Sequence, residues 1–176
     1  MTAIITLVGE SDSGKTMVAT ELIRILTEEG YRVAAVKHCP HGHDVDKEGS
    51  DTYRMALAGA STVFAVSPNK VTRIERTESD LSLELIVKAL DGFDLVIAEG
   101  FKHSMVSKIQ IWKGGHTVPS KENLVAIVTD EITSDSCALD SDKIKGTPTY
   151  RFDEMDKLAI YIRELFHQDT DEGFSL

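Results

Sequence analysis

Gly9-Glu10-Ser11-Asp12-Ser13-Gly14-Lys15-Thr16, close behind the N-terminus, decides how the rest of the chain is read. An apolar β-type run, Ile4-Ile5-Thr6-Leu7-Val8, leads into it, and an amphipathic segment opens at Met17. The pattern is G-x-x-x-x-G-K-[ST] in the strand–loop–helix setting that a phosphate-binding loop requires. Its glycines permit a tight turn in which successive N–H groups point inward and form an anion-binding concavity. The N-terminus of the following helix adds its dipole and its unpaired N–H groups. Lys15 supplies a cation at the β- and γ-phosphates, and the Thr16 hydroxyl suits a Mg²⁺ ligand. The candidate nucleotide-binding residues therefore run from Gly9, Glu10, Ser11, Asp12, Ser13 and Gly14 through Lys15 and Thr16 to Met17, with Lys15 also a catalytic candidate. A chance match in a chain of this length is on the order of 1%. The residues read as those of a nucleoside-triphosphate binder.

Outward from the loop, Thr2 to Val8 is the uninterrupted apolar run of a central strand buried on both faces. The following helix places Val18, Leu22, Ile25 and Leu26 on one stripe, and Gly30 stands where a helix C-cap glycine belongs. Tyr31 to Val36 reads as a second strand, and two parallel strands joined by a helix set the class as α/β. Further strands are expected at Phe93–Ala98, Lys108–Trp112 (half exposed, by its alternation) and Leu124–Val128. Short helices are expected at Asp51–Ala58 and at Leu81–Leu90. The second would be capped by Ser79 or Asp80, with Leu81, Leu85 and Ala89 turned inward. Asp153–Phe166 closes the fold as an amphipathic helix. Thr62–Val66 and Val71–Ile74, around Ser67-Pro68-Asn69-Lys70, form a hairpin. The expected architecture is a mostly parallel sheet flanked by helices, a three-layer P-loop NTPase with a small β-hairpin elaboration. Residues 1–167 form a single nucleotide-binding domain in this reading, and 168–176 a frayed acidic tail.

Composition is consistent with one soluble domain: 176 residues, 41% hydrophobic and 27% charged. The net charge of −10 argues against a nucleic-acid or anionic-membrane partner, because both require clustered positive charge. Cys39 and Cys137 lie far apart and form no C-x-x-C pair. No apolar run approaches membrane-spanning length and no basic leader precedes an apolar core, so a cytoplasmic protein is expected.

Four strand ends, at Gly9, Lys37-His38, Glu99 and Asp130, share one edge of a parallel sheet and become one site. Glu99 closes an apolar strand, where a carboxylate would hold Mg²⁺ through water or orient an attacking water; it is a metal and a catalytic candidate. Lys37 is either a phosphate contact or a solvated lysine. The stretch from Lys37 to Arg54 is dense in ligand types: His38, Cys39, His41, His43, Asp44, Asp46, Asp51 and Arg54. It reads either as a nucleotide-sensing loop, with Asp44, Asp46 or Asp51 near Mg²⁺ (Asp46 the metal candidate) and His38, Asp51 and Arg54 near the nucleotide, or as a Zn²⁺ site. Guanine selection needs a carboxylate that accepts from the N1 and exocyclic N2 donors. Asn69-Lys70 begins an N-K-x-D motif but Thr72 replaces its aspartate, which leaves Asp130 as either the base selector or a helix N-cap. Arg54 and Lys102 are candidates for the extra positive charge that phosphoryl transfer requires.

These motifs together resemble the molybdopterin-guanine dinucleotide biosynthesis protein B family, small GTP-binding proteins of the molybdenum-cofactor pathway. The resemblance is carried by Gly9–Thr16, by K-H-C-P-H-G-H-D-V-D from Lys37 to Asp46, and by G-S-D-T-Y-R from Gly49 to Arg54. A-G-A from Ala58 to Ala60, A-E-G-F-K from Ala98 to Lys102 and V-T-D from Val128 to Asp130 complete it. It implies GTP with Mg²⁺, weak GTP hydrolysis and a homodimer. It also implies as partners the guanylyltransferase that joins GMP to molybdopterin, and molybdopterin-bound proteins. By motif, Lys15 and Thr16 take phosphate and metal, Glu99 the metal side and Asp130 the base. The family's G-K-D-S appears here as Gly49-Ser50-Asp51-Thr52, so the lysine's charge is missing. Two other functions stay open. One is an ATP-dependent ligase or kinase resembling dethiobiotin synthetase. The other is a metal-insertion GTPase using His38, His41 and His43.

Overall fold

The computed structural model describes residues 2–43, 46–113, 122–130 and 146–171. The chain divides into two compact units, Met1–His38 with Ser82–Leu176, and Cys39–Leu81.

The first unit is built on a sheet of six strands. In chain order they are β1 (Ala3–Val8), β2 (Val33–Lys37), β5 (Leu95–Glu99), β6 (Ser107–Ile111), β7 (Leu124–Val128) and β8 (Thr149–Tyr150). They lie in the order β2-β5-β1-β6-β7-β8, and every neighbouring pair is parallel. The first crossover therefore does not make β1 and β2 neighbours, because β5 enters between them. The chain moves to one side of β1 for β2 and to the other for β6, so the strand order reverses beside the end of β1. In open α/β sheets that is where ligands bind.

Helix α1 (Lys15–Glu28) buries Val18, Ala19, Leu22, Ile25 and Leu26, the stripe expected of its sequence. It ends because Gly30, at φ 96°, turns left-handed: its N–H donates to the Thr27 carbonyl and that of Tyr31 to the Leu26 carbonyl. These two bonds satisfy carbonyls that the helix itself leaves unpaired. Helix α4 (Met155–Asp171) lays Met155, Leu158, Ala159 and Ile162 into the same core. Together they cover Ile5 and Leu7 of β1, Ile97 of β5, Ile109 and Ile111 of β6, and Ala126 and Val128 of β7. Each fully buried Leu or Ile contributes about 1.5–3 kcal/mol of hydrophobic stabilisation. That burial fixes β1, and with it the start of the phosphate loop, in the middle of the sheet.

Four expectations are corrected. The helix near residue 85 is α3 (Leu83–Lys88), capped by the Ser82 hydroxyl, which accepts from the Leu85 N–H at 3.3 Å. Its buried residue is Leu83, whereas Leu81 and Leu85 are exposed: a six-residue helix cannot sustain the inward stripe drawn for ten residues. β6 is not half exposed. It pairs on both sides, and Lys108, Ile109, Ile111 and Trp112 are all buried. Its alternation comes from Lys108 and Gln110, long side chains whose stems can cover apolar neighbours. β8, two residues long, had no signal in the sequence. Finally, α4 runs to Asp171, into the segment expected to fray, and residues 172–176 lie outside the described ones.

The second unit holds α2 (Asp51–Leu57) and an antiparallel hairpin of β3 (Thr62–Ser67) and β4 (Lys70–Glu75), joined by Pro68-Asn69 as the turn signal implied. Ser50 caps α2, its hydroxyl accepting from the Tyr53 N–H at 3.1 Å. Among the described residues no helix is long and apolar enough to cross a membrane.

Candidate functional site

Past Val8 the backbone turns through Asp12, at φ 57°, and Gly14, at φ 98°, before α1 begins. No side chain caps α1 at Gly14, and its first turn carries no acidic residue. The N–H groups that open a helix have no partner within it, and the positive end of the helix dipole lies at the same end. Gly9 is required by space: a Cβ there would strike the Ile111 carbonyl oxygen and stand 2.8 Å from Ser13 Oγ. Ser13 is 5% exposed and its hydroxyl has no hydrogen-bond partner among the described residues. A buried polar atom left unpaired costs roughly 1–3 kcal/mol, and a bound anion would relieve it. Lys15 folds back over the loop, its Nζ donating to the carbonyls of Gly9 at 3.2 Å and Glu10 at 2.5 Å. Among the described residues the loop thus presents helix N–H groups with no partner inside the helix, a hydroxyl with no partner, and an ammonium held by the Gly9 and Glu10 carbonyls. This donor set fits a phosphate chain. Glu10, Ser11, Asp12 and Met17 are exposed along its outer side.

Beside it, register brings three functional groups together. Glu99, at the end of β5, is aligned with Leu7 of β1 on one side and Lys37 of β2 on the other. The Thr16 hydroxyl donates to Glu99 Oε2 at 2.8 Å, and Lys37 Nζ lies 3.3 Å from Glu99 Oε1. The Glu99 side chain is only 15% exposed, whereas that of Lys37 is 59% exposed and able to swing outward. A hydroxyl and a carboxylate oxygen side by side are the hard donors that Mg²⁺ selects. The Glu99 backbone is fixed as well. Its carbonyl accepts from the His38 N–H at 2.9 Å, and the next N–H, of Gly100, donates to the Leu7 carbonyl at 3.0 Å. The His38 ring stacks on Phe101 at 4.8 Å, which gives that histidine a packing role within this edge.

Asp130, at the end of β7, meets residues that sequence reading missed. Its Oδ1 accepts from the Phe152 N–H at 3.3 Å and lies 3.9 Å from Arg151 Nη2. The Phe152 ring rests against the phosphate loop: a Cβ on Gly14 would stand 3.0 Å from its Cε1 and 3.8 Å from Lys113 Cε. Lys113 Nζ is 5.8 Å from the centre of that ring. The only signal for Arg151 and Phe152 would have been recognition of β8, whose two residues leave no periodicity to detect.

In the second unit Asp46 Oδ1 accepts from the hydroxyls of Ser50, at 2.9 Å, and Thr52, at 2.8 Å, so it braces the start of α2. Asp51 and Arg54 face one another at 3.9 Å as an exposed i, i+3 pair. Among the described residues no three His, Cys, Asp or Glu side chains stand close enough to hold a metal ion, and Asp44 lies outside the described residues. The Zn²⁺ reading of the His/Cys stretch finds no support in this geometry.

A sequence model of molybdopterin guanine dinucleotide synthesis protein B matches residues 4–130. Two relatives are named molybdopterin-guanine dinucleotide biosynthesis adapter protein. The one from Escherichia coli K12 is 30% identical over 84% of this chain and 90% of its own length. The one from Haemophilus influenzae is 36% identical over 65% of each chain. The crystal structure of a molybdopterin-guanine biosynthesis protein B superposes with a TM-score of 0.66 at 30% identity, covering 92% of this chain and 99% of that one.

Proposed function

The chain belongs to the molybdopterin guanine dinucleotide synthesis protein B family, and from that premise we propose that it is a GTP-binding adapter in the formation of molybdopterin guanine dinucleotide. The observation that carries the nucleotide part is the phosphate loop, with the unpaired Ser13 hydroxyl inside it and the Thr16–Glu99 pair at its rim. The free N–H groups at the start of α1 and the Ser13 hydroxyl bind the phosphate oxygens. Lys15 leaves the Gly9 and Glu10 carbonyls for the β- and γ-phosphates. Thr16 and Glu99 would hold Mg²⁺, which supplies neutralisation of phosphate charge.

Lys37, whose side chain is 59% exposed, would be free to turn from Glu99 to a phosphate oxygen when Thr16 and Glu99 hold the metal. Asp130, with both described contacts on Oδ1, accepts from the guanine N1 and N2 donors. Hydrolysis is weak in this reading, because Glu99 Oε2 accepts from the Thr16 hydroxyl at 2.8 Å and the carboxylate would serve the metal rather than activate a water. The catalytic charge would come from Lys102 or a partner. The partner is the guanylyltransferase that joins GMP to molybdopterin, with molybdopterin-bound proteins beyond it, and the adapter works as a cytoplasmic homodimer.

Calorimetric titration of Mg·GTP and Mg·ATP into the wild type, Lys15→Ala and Asp130→Ala tests this. GTP should bind at least tenfold tighter than ATP, about 1.4 kcal/mol. Lys15→Ala should abolish binding, and Asp130→Ala should erase the preference. Tighter ATP binding would overturn the reading in favour of a ligase or kinase.

A further inference from the structure

We propose that Phe152, with Lys113 across its face, is the platform on which the purine base of the bound nucleotide stacks. The inference rests on the nucleotide reading above and deepens it. Phe152 directly follows β8, with one residue, Arg151, between the strand and the ring. Two contacts of this single residue point to the base. Its ring edge reaches Gly14, where the phosphate loop turns into α1, and its N–H holds Oδ1 of Asp130, the base-selecting carboxylate. A ligand with phosphates on the loop and a purine edge on Asp130 must pass over the ring that touches both. The ring is partly buried, resting on the core yet keeping an accessible part, as a stacking surface needs.

Lys113 Nζ, 5.8 Å from the ring centre, is within cation–π range, and its stem lies along Gly14. A base inserted there gains an aromatic face on one side and a cation close by. Stacking of this kind accepts any purine, because every base has a π-face. Selection therefore stays with Asp130, while affinity comes from Phe152. Arg151 sits 3.9 Å from Asp130 in an exposed pair, close enough to hold the empty carboxylate and loose enough to yield to the base.

The test compares GTP with inorganic tripolyphosphate, which carries the phosphates without a base, by displacement titration of the full chain. Phe152→Leu keeps an apolar side chain but no π-face. It should lose about tenfold in GTP affinity and leave tripolyphosphate affinity within twofold of wild type. Phe152→Tyr should keep both. Phe152→Trp supplies an independent readout, with emission quenched by GTP and not by tripolyphosphate. Unchanged GTP affinity in Phe152→Leu, an equal loss for tripolyphosphate, or no GTP-specific quenching in Phe152→Trp would each overturn the platform while leaving GTP binding in place. Failure of the wild type itself to bind GTP would overturn the nucleotide reading, and the platform with it.

Discussion

Glu99→Gln keeps the shape of the side chain and removes its charge, which separates holding the fold together from holding a metal. In the protein alone, the Thr16 hydroxyl at 2.8 Å can still donate to the amide oxygen, so a charge-assisted bond becomes a neutral one at a cost of about 1 kcal/mol. The Lys37 ion pair at 3.3 Å is lost, but with Lys37 59% exposed, solvent screening keeps its contribution below about 1 kcal/mol. The sum, under about 2 kcal/mol, leaves a domain of ordinary stability folded. With nucleotide the balance differs. A carboxylate oxygen beside the Thr16 hydroxyl is half of the Mg²⁺ site in this reading, and losing one charged ligand contact of about 1.5–3 kcal/mol weakens binding roughly ten- to a hundredfold. The assay is calorimetric titration of GTP with Mg²⁺ and again with a chelator, with thermal unfolding as the control for folding. Mg·GTP affinity should fall at least tenfold, while metal-free affinity stays within about twofold or tightens, because a negative charge beside the phosphates has gone. An unchanged ratio of the two affinities would refute the placing of Glu99 at the metal.

Gly14→Ala and Gly30→Ala form a matched pair, since both glycines are left-handed, at φ 98° and φ 96°. Each should lose roughly 1–2 kcal/mol in urea denaturation from backbone strain. Only Gly14→Ala, whose Cβ presses on the Phe152 ring at 3.0 Å, should also impair nucleotide binding, because among the described residues nothing lies within 4 Å of a Cβ at Gly30. Leu22→Ala opens a hole at a fully buried position of the α1 stripe and should cost about 2–5 kcal/mol, read as a lower denaturation midpoint at unchanged slope. Burial holds the Tyr150 and Tyr161 phenols above their ordinary titration range, Tyr150 being raised further by Tyr161, Glu164 and Glu154. A raised folded-state value means that their contribution is intact below about pH 10 and is lost as pH rises through the folded-state values. Tyr161→Phe, which also removes a 3.0 Å bond to the Val125 carbonyl, should cost about 1 kcal/mol at pH 8 and make the decline above pH 10 shallower.

How much of the site was legible differs from residue to residue for physical reasons. The turn from Gly9 to Thr16 was readable because it depends on local backbone geometry, and only a few residue types allow that geometry. Glu99 and Lys37 were readable as strand ends, since an apolar run that stops at a charge marks where a buried strand reaches water. Their meeting at 3.3 Å was not, because it depends on β5 entering beside β2. Asp46 was placed among the metal candidates by its neighbours in sequence; that its Oδ1 also accepts from the hydroxyls of Ser50 and Thr52, bracing the start of α2, was not legible, because no pattern of ligand types announces it. Periodicity misjudged β6, where two long polar side chains imitate an exposed face that is in fact covered.

The sequence by itself determined the α/β class, the phosphate loop, the hairpin and the charged strand ends, all of which rest on interactions a few residues long or on burial patterns along one element. Only the tertiary structure decided which strand ends adjoin. It set Thr16 and Lys37 against the two oxygens of Glu99, and it carried Phe152 across from the last strand to Gly14 and Asp130. Those contacts join residues as much as 138 positions apart, the separation of Gly14 and Phe152. They exist because a parallel sheet aligns the ends of strands whose order is set by packing on α1 and α4, and no local pattern along the chain encodes that order.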